Sequence, residues 1–251
     1  MNRQFFLIIL MACFNAVLAQ NQTNITIDFG NKLHEWDGFG VNYVETRHTR
    51  DYEIFQQDYG GFKYLNEEDR QKVINLIFGA DGLKPGIIKV FLDPFHEIAN
   101  DNDDPFDLDM VKFDHKTTTK WIRYFYTEAE KKVAEWDGKL TYLAGLYGPP
   151  DWMSLQKCFR GRDLDPSMKY ELAEYCVSWA KFLKDEGLDV KYISMHNEGE
   201  DVRRWSKSGI DDTLHYKHDF NMWWNGAQVA DFLAITDEVL LANNMLDVKF
   251  S

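Results

Sequence analysis

Ile87-Ile88-Lys89-Val90-Phe91-Leu92 is an apolar run of strand length broken by a single lysine. A strand with one face in water alternates apolar and polar residues, whereas a strand of a parallel sheet is covered on both faces and reads as a nearly continuous apolar run. The run therefore predicts a strand in a parallel sheet, and parallel strands need crossover connections, usually helices.

Those helices are legible on either side. Upstream, Asn66 followed by Asp69 predicts a capped helix over 67–78, with Val73, Ile74, Ile77 and Phe78 inward and Gly79 at its end. Downstream, a long helix is expected over 118–136, stopped by Asp137-Gly138, and then a strand over 140–146. A third helix has Asp165 as cap and Pro166 at its first position. Its apolar stripe runs through Met168, Leu172, Tyr175, Cys176, Trp179, Phe182 and Leu183 up to Gly187. A strand over 190–195, a helix over 227–244 and the start of a strand at 247–250 complete the series, with a first strand over 36–44 at its head.

Strand and helix alternate without a break, so the fold class is α/β. No Gly-rich phosphate loop follows the first strand, which sets aside the doubly wound dinucleotide fold. The expected architecture is a (β/α)8 TIM barrel of which about four βα units are present. Strand starts recur about every 50 residues, so eight units would take on the order of 400. The stretch 24–29 is read as a lead-in strand belonging to an accessory β-domain.

At the N-terminus, Met1-Asn2-Arg3-Gln4 leads into an apolar run too short to span a bilayer, followed by Ala16-Val17-Leu18-Ala19. Residues 1–19 are expected to be a signal peptide, and 20–251 one continuous domain. The protein is then secreted, extracellular or periplasmic; the alternative is a lipoprotein anchored through Cys13. In an oxidising compartment Cys158 and Cys176 could pair, or Cys176 could simply fill its helix face as a small apolar residue. Asn21-Gln22-Thr23 and Asn24-Ile25-Thr26 are glycosylation acceptors in a eukaryotic host.

The chain has 28 Lys and Arg against 41 Asp and Glu, a net charge of −13. Such a balance disfavours nucleic acid and anionic membranes as partners and suits a neutral ligand. Eight Trp and twelve Tyr supply flat rings that can stack on sugars, although core packing accounts for most aromatics in most proteins. His215 and His218 have no third ligand type nearby, and Asp101 to Asp104 lacks the spacing of a calcium loop. Neither a metal nor a cofactor is expected. No integral membrane span is foreseen, and the oligomeric state is left open.

In a parallel barrel the active site forms at the C-terminal ends of the strands. Each expected end is polar: Asn42 and Glu45 after the first strand, Asp93, His96 and Glu97 after the second, Asp151-Trp152 after the third, His196-Asn197-Glu198-Gly199-Glu200 after the fourth. A proton donor, hydroxyl-binding groups and a stacking ring are what cleavage of a glycosidic bond requires. For Glu45 and Glu97 the plainer reading is a solvated loop acid. Spacing alone does not choose between Glu198 and Glu200, since residues two apart on a strand share a face.

Ile193-Ser194-Met195-His196-Asn197-Glu198 resembles the fourth-strand signature of clan A glycoside hydrolases, whose Asn-Glu pair supplies the acid/base glutamate. Trp36-Asp37-Gly38-Phe39-Gly40-Val41-Asn42 with Glu45 is similar to the first-strand motif of glycoside hydrolase family 30, and Gly148-Pro149-Pro150-Asp151-Trp152-Met153 to its third-strand motif. The chain departs from the family pattern at Gly199, where proline is usual, and at Asp151, where a small apolar residue is usual. These changes bear on the sugar subsites more than on the reaction.

The resemblance implies a retaining O-glycosyl hydrolase acting on β-linked sugars. Glu198 is the implied acid/base, its pKa raised towards about 6 to 7, and Asn197 holds the sugar's 2-hydroxyl. Trp152 and Trp205 are implied stacking residues, with Glu45, Asn42, Asp93 and His96 as further substrate contacts. In the family the nucleophile ends strand seven, which this chain does not reach, so the chain alone is expected to hydrolyse nothing. A non-catalytic secreted carbohydrate-binding protein is the rival reading. A serine or zinc hydrolase is disfavoured, since neither Gly-x-Ser-x-Gly nor His-Glu-x-x-His occurs.

Overall fold

A computed structural model describes residues 25–26, 28–31, 38–43, 61–97, 99–100, 104–158, 161–197 and 222–251. The chain divides into two units, Met1–Asp37 and Gly38–Ser251. In the first, the described residues form no strand. Asp28 accepts from the Gly30 N–H through its carboxylate at 2.9 Å, and its carbonyl accepts from Asn31 at 3.3 Å. An aspartate that bonds its own backbone two residues on turns the chain, so among the described residues of the expected strand over 24–29 there is a turn beginning at Asp28.

Among the described residues of the second unit five strands alternate with four long helices: β1 (Gly40–Tyr43), α1 (Glu67–Phe78), β2 (Ile87–Leu92), α2 (Lys120–Ala134), β3 (Thr141–Leu146), α3 (Lys169–Asp185), β4 (Val190–Ser194), α4 (Gly226–Ala242) and β5 (Lys249–Phe250). All four strand pairings are parallel and the order is β1-β2-β3-β4-β5. A doubly wound sheet reverses direction at a switch point, and this one does not. Crossovers that keep one direction and one hand carry every helix to the same face, as in a barrel wall.

The side chains agree. Ile88, Val90 and Leu92 of β2, Tyr142, Ala144 and Leu146 of β3, and Val190 and Ile193 of β4 join one buried cluster with residues of all four helices. The alternate residues face the other way. There Phe91 and Tyr147 form a separate small cluster with Phe95.

The caps explain where the helices begin. Asn66 accepts from the Asp69 N–H at 2.9 Å. Asp165 accepts from Ser167 at 3.1 Å and opens a 3-10 turn, Pro166–Met168, rather than the α-helix itself. Asn225 and Gln228 bond reciprocally as a capping box on α4. Gly79 keeps a negative φ of −65°, yet a Cβ there would meet the Asn75 carbonyl oxygen at 2.5 Å, so close approach and not a left-handed backbone demands glycine.

Cys158 and Cys176 are free thiols. Cys176 is buried on α3, and burial pushes its thiol far above the usual range. It packs as a small apolar residue. Among the described residues no helix is long and apolar enough to cross a membrane.

Candidate active site

The parallel register sets the ends of β1 to β4 along one edge of the sheet. Asn42 lies on the concave face, in register with Lys89, which pairs in turn with Leu143. That row runs on to Tyr192, and one further row towards the edge sets Phe91 with Gly145 and Ser194. Lys89 lies along its own strand, its Nζ 4.6 Å from the Phe91 ring centroid. A Cβ on Gly145 would stand 2.8 Å from the Lys89 Cε, so the glycine makes room for the lysine stem. Lys89, Phe91 and Tyr147 are concave-face residues that the sequence reading did not single out. Their signal was available: Lys89 has the opposite parity to Ile88 and Val90, whose apolar character marks the helix side.

At the β2 end the acids are not solvated. Asp93 is 0% exposed and Glu97 is 4%. Asp93 accepts from the Phe95 N–H at 2.9 Å. Burial, the largest influence on the Asp93 carboxyl, would raise its pKa, but the neighbouring His96 and the Phe95 N–H together hold it below the usual range. His96 is 1% exposed and its ring lies 5.2 Å from that of Trp179 on α3. The structure thus places Asp93 and His96 inside the joint between the β2 end and α3, where neither presents a face to solvent.

Trp152 sits in the 3-10 turn Asp151–Met153 after β3, half-buried. Its backbone N–H donates to the Asp151 carboxylate at 2.8 Å, and its indole N–H reaches the Glu97 carbonyl at 3.4 Å. The ends of β2 and β3 are thereby linked. Asp151, the departure from the family pattern, is used by the turn.

After β4 the Ser194 hydroxyl donates to the His196 carbonyl at 3.1 Å, and the His196 ring lies 6.1 Å from Trp224 at the start of α4. Asn197 is half-buried at the same edge. Glu45, Glu198, Glu200, Trp205, His215 and His218 lie outside the described residues. Among the described residues Trp152 meets Glu97 across the ends of β2 and β3, while Asn42 and Asn197 lie near the ends of β1 and β4, and Lys89 and Phe91 line the concave face of β2.

No family model matches the chain, and no curated protein matches it. Solved structures do. A conserved exported protein from Bacteroides fragilis superposes with a TM-score of 0.63 at 16% identity, over 89% of this chain and 44% of that one. An endo-β1,6-glucanase gives 0.62 at 15% identity, over 90% and 45%. The catalytic domain of a GH30 xylanase C from Talaromyces cellulolyticus gives 0.57 at 15% identity, over 84% and 45%. The chain thus spans less than half the length of the solved structures it resembles. At such identities the likeness is one of fold, and the fold it gives is a partial barrel of the kind found in GH30 catalytic domains.

Proposed function

We propose that this chain is the acid/base-bearing part of a retaining β-glycoside hydrolase. The observation that supports the reading is the unbroken strand order, which sets the ends of β1 to β4 along one edge; this reading seats Asn42, Trp152 and Asn197 on that rim. Glu198 is the residue that follows Asn197 there. In this reading Glu198 gives its proton to the glycosidic oxygen as the bond to the anomeric carbon breaks, and later takes a proton from the incoming water. A second carboxylate about 5 to 5.5 Å away forms the covalent intermediate. Asn197 orients the sugar, Trp152 stacks on it, and Asn42, Glu45 and Trp205 extend the subsite. The acidic chain and the fold likeness to an endo-glucanase and a xylanase support a neutral polysaccharide as substrate.

The test is hydrolysis by the full-length protein and its Glu198→Gln variant. Turnover on a natural β-linked glycan should fall by orders of magnitude. A nitrophenyl glycoside, whose leaving group needs little protonation, should lose less in the bond-breaking step. Equal losses on both, or unchanged turnover, would remove Glu198 from the acid/base role. Oligosaccharide binding by calorimetry with no turnover in any form of the protein would favour the non-catalytic binding protein.

A further inference from the structure

On the helix side of the sheet, away from the rim, the loop between β2 and α2 folds two histidines onto each other. His96 and His115 are each at most 2% exposed, and their Nδ1 atoms are 2.8 Å apart. An N···N contact of that length is a hydrogen bond only when one of the two nitrogens carries a hydrogen and the other does not. The opposite nitrogen of His96, Nε2, is buried without a hydrogen bond and faces Asp93 Oδ1 at 3.5 Å. A carboxylate at that distance still favours the His96 tautomer with its hydrogen on Nε2, which leaves Nδ1 to accept the Nδ1–H of His115.

The Nε2 of His115 is likewise buried without a hydrogen bond, and its ring lies among those of Phe113, Trp179 and Phe182, with centroids 5.2–5.5 Å apart. A proton on every nitrogen of the pair would set two imidazolium rings nitrogen to nitrogen in apolar surroundings.

We propose that Asp93, His96 and His115 form a clamp that fixes the β2 end to α3 while both histidines are neutral, and that loosens when the pair takes up protons. Tyr175 of α3 completes the joint, its hydroxyl accepting from the His96 N–H at 3.1 Å and donating to the Asp93 carbonyl. The next residue, Glu97, carries the carbonyl that meets the Trp152 indole. The clamp is therefore a positioning device for the rim.

The other titratable groups facing it are Glu97 from the β2 end, Asp114 from the loop before α2, and Tyr175 with Cys176 from α3. The carboxylates favour proton uptake, but on His115 burial dominates, reinforced by His96, and its pKa lies well below that of an ordinary histidine. The sign follows: the unfolded chain accepts a proton that the folded chain refuses, so this contribution is intact above about pH 6.5 and is lost progressively below it. The bearing on sugar binding rests on the hydrolase reading; the clamp itself does not, and its test needs no substrate.

Ring-nitrogen NMR of the labelled chain at neutral pH should show His96 protonated at Nε2 and His115 at Nδ1. Equilibrium unfolding should then show the folded-to-unfolded ratio dropping by up to about tenfold per pH unit below about 6.5, with a shallower dependence in His115→Phe. A charged His115 at neutral pH, or the same pH dependence in wild type and variant, overturns the clamp. Should His115→Phe fail to fold, the wild-type tautomers decide the matter alone.

Discussion

Ile88 and Lys89 are adjacent on β2, but they face opposite sides of the sheet. The Ile88 side is sealed by helices: Ile88, Val90, Ile74, Phe78 and Ile122 are all 0% exposed. The Lys89 side carries an ammonium, an amide at Asn42, a hydroxyl at Ser194 and a glycine where a larger residue would collide with the lysine. The first face has the composition of a folding core, while the second sets those polar groups among Phe91, Leu143 and Tyr192. In a barrel wall these two tasks divide strand by strand into odd and even residues, so substitutions at neighbouring positions should have unlike consequences.

The largest effect is expected on the helix side. Ile88→Ala should cost about 2–5 kcal/mol in denaturant unfolding, because the dense surroundings cannot collapse onto the lost atoms. A cost under about 1 kcal/mol would mean that the two faces are not distinct. Gly145→Ala on the concave face should cost about 1 kcal/mol, the low end for an overpacked site, since the Lys89 stem can swing aside. If the rim binds sugar, oligosaccharide affinity should change more than stability in this variant. Smallest is Trp152→Phe, which keeps a ring but removes the long bond to Glu97; about 0.5 kcal/mol is expected. A weakened affinity in calorimetry at unchanged stability would sharpen the assignment of that ring to the ligand side.

The division was only half visible in the sequence. Local signals carried the framework: the apolar run of β2, the caps at Asn66 and Asp165, and the βα alternation are each set within a few residues. What they left out depends on distant partners. His96 read as a rim residue because nothing near it in the chain shows that His115, 19 positions on, folds back onto it. Glu97 read as a solvated acid because its burial arises from packing between the ends of β2 and β3. The stretch 24–29 was read as a lead-in strand, while the Asp28 carboxylate turns the backbone there. Glu198 was singled out by motif resemblance, and the site's catalytic half is still best argued from that.

The register slip between β3 and β4 has a consequence of its own. Tyr142 pairs with Val190, yet Leu143 pairs with Tyr192, leaving Lys191 as one extra residue. Before it the even-numbered position, Val190, points to the helices; after it the odd-numbered Ile193 does, and Ser194 turns to the concave side. Lys191 thus works as a phase shifter for everything downstream on that strand. Drawing it into the ladder opposite Leu143 would swap inside for outside, sending Ser194 among the helices and Ile193 to the concave side, whereas deleting it would straighten the strand and leave both faces as they are.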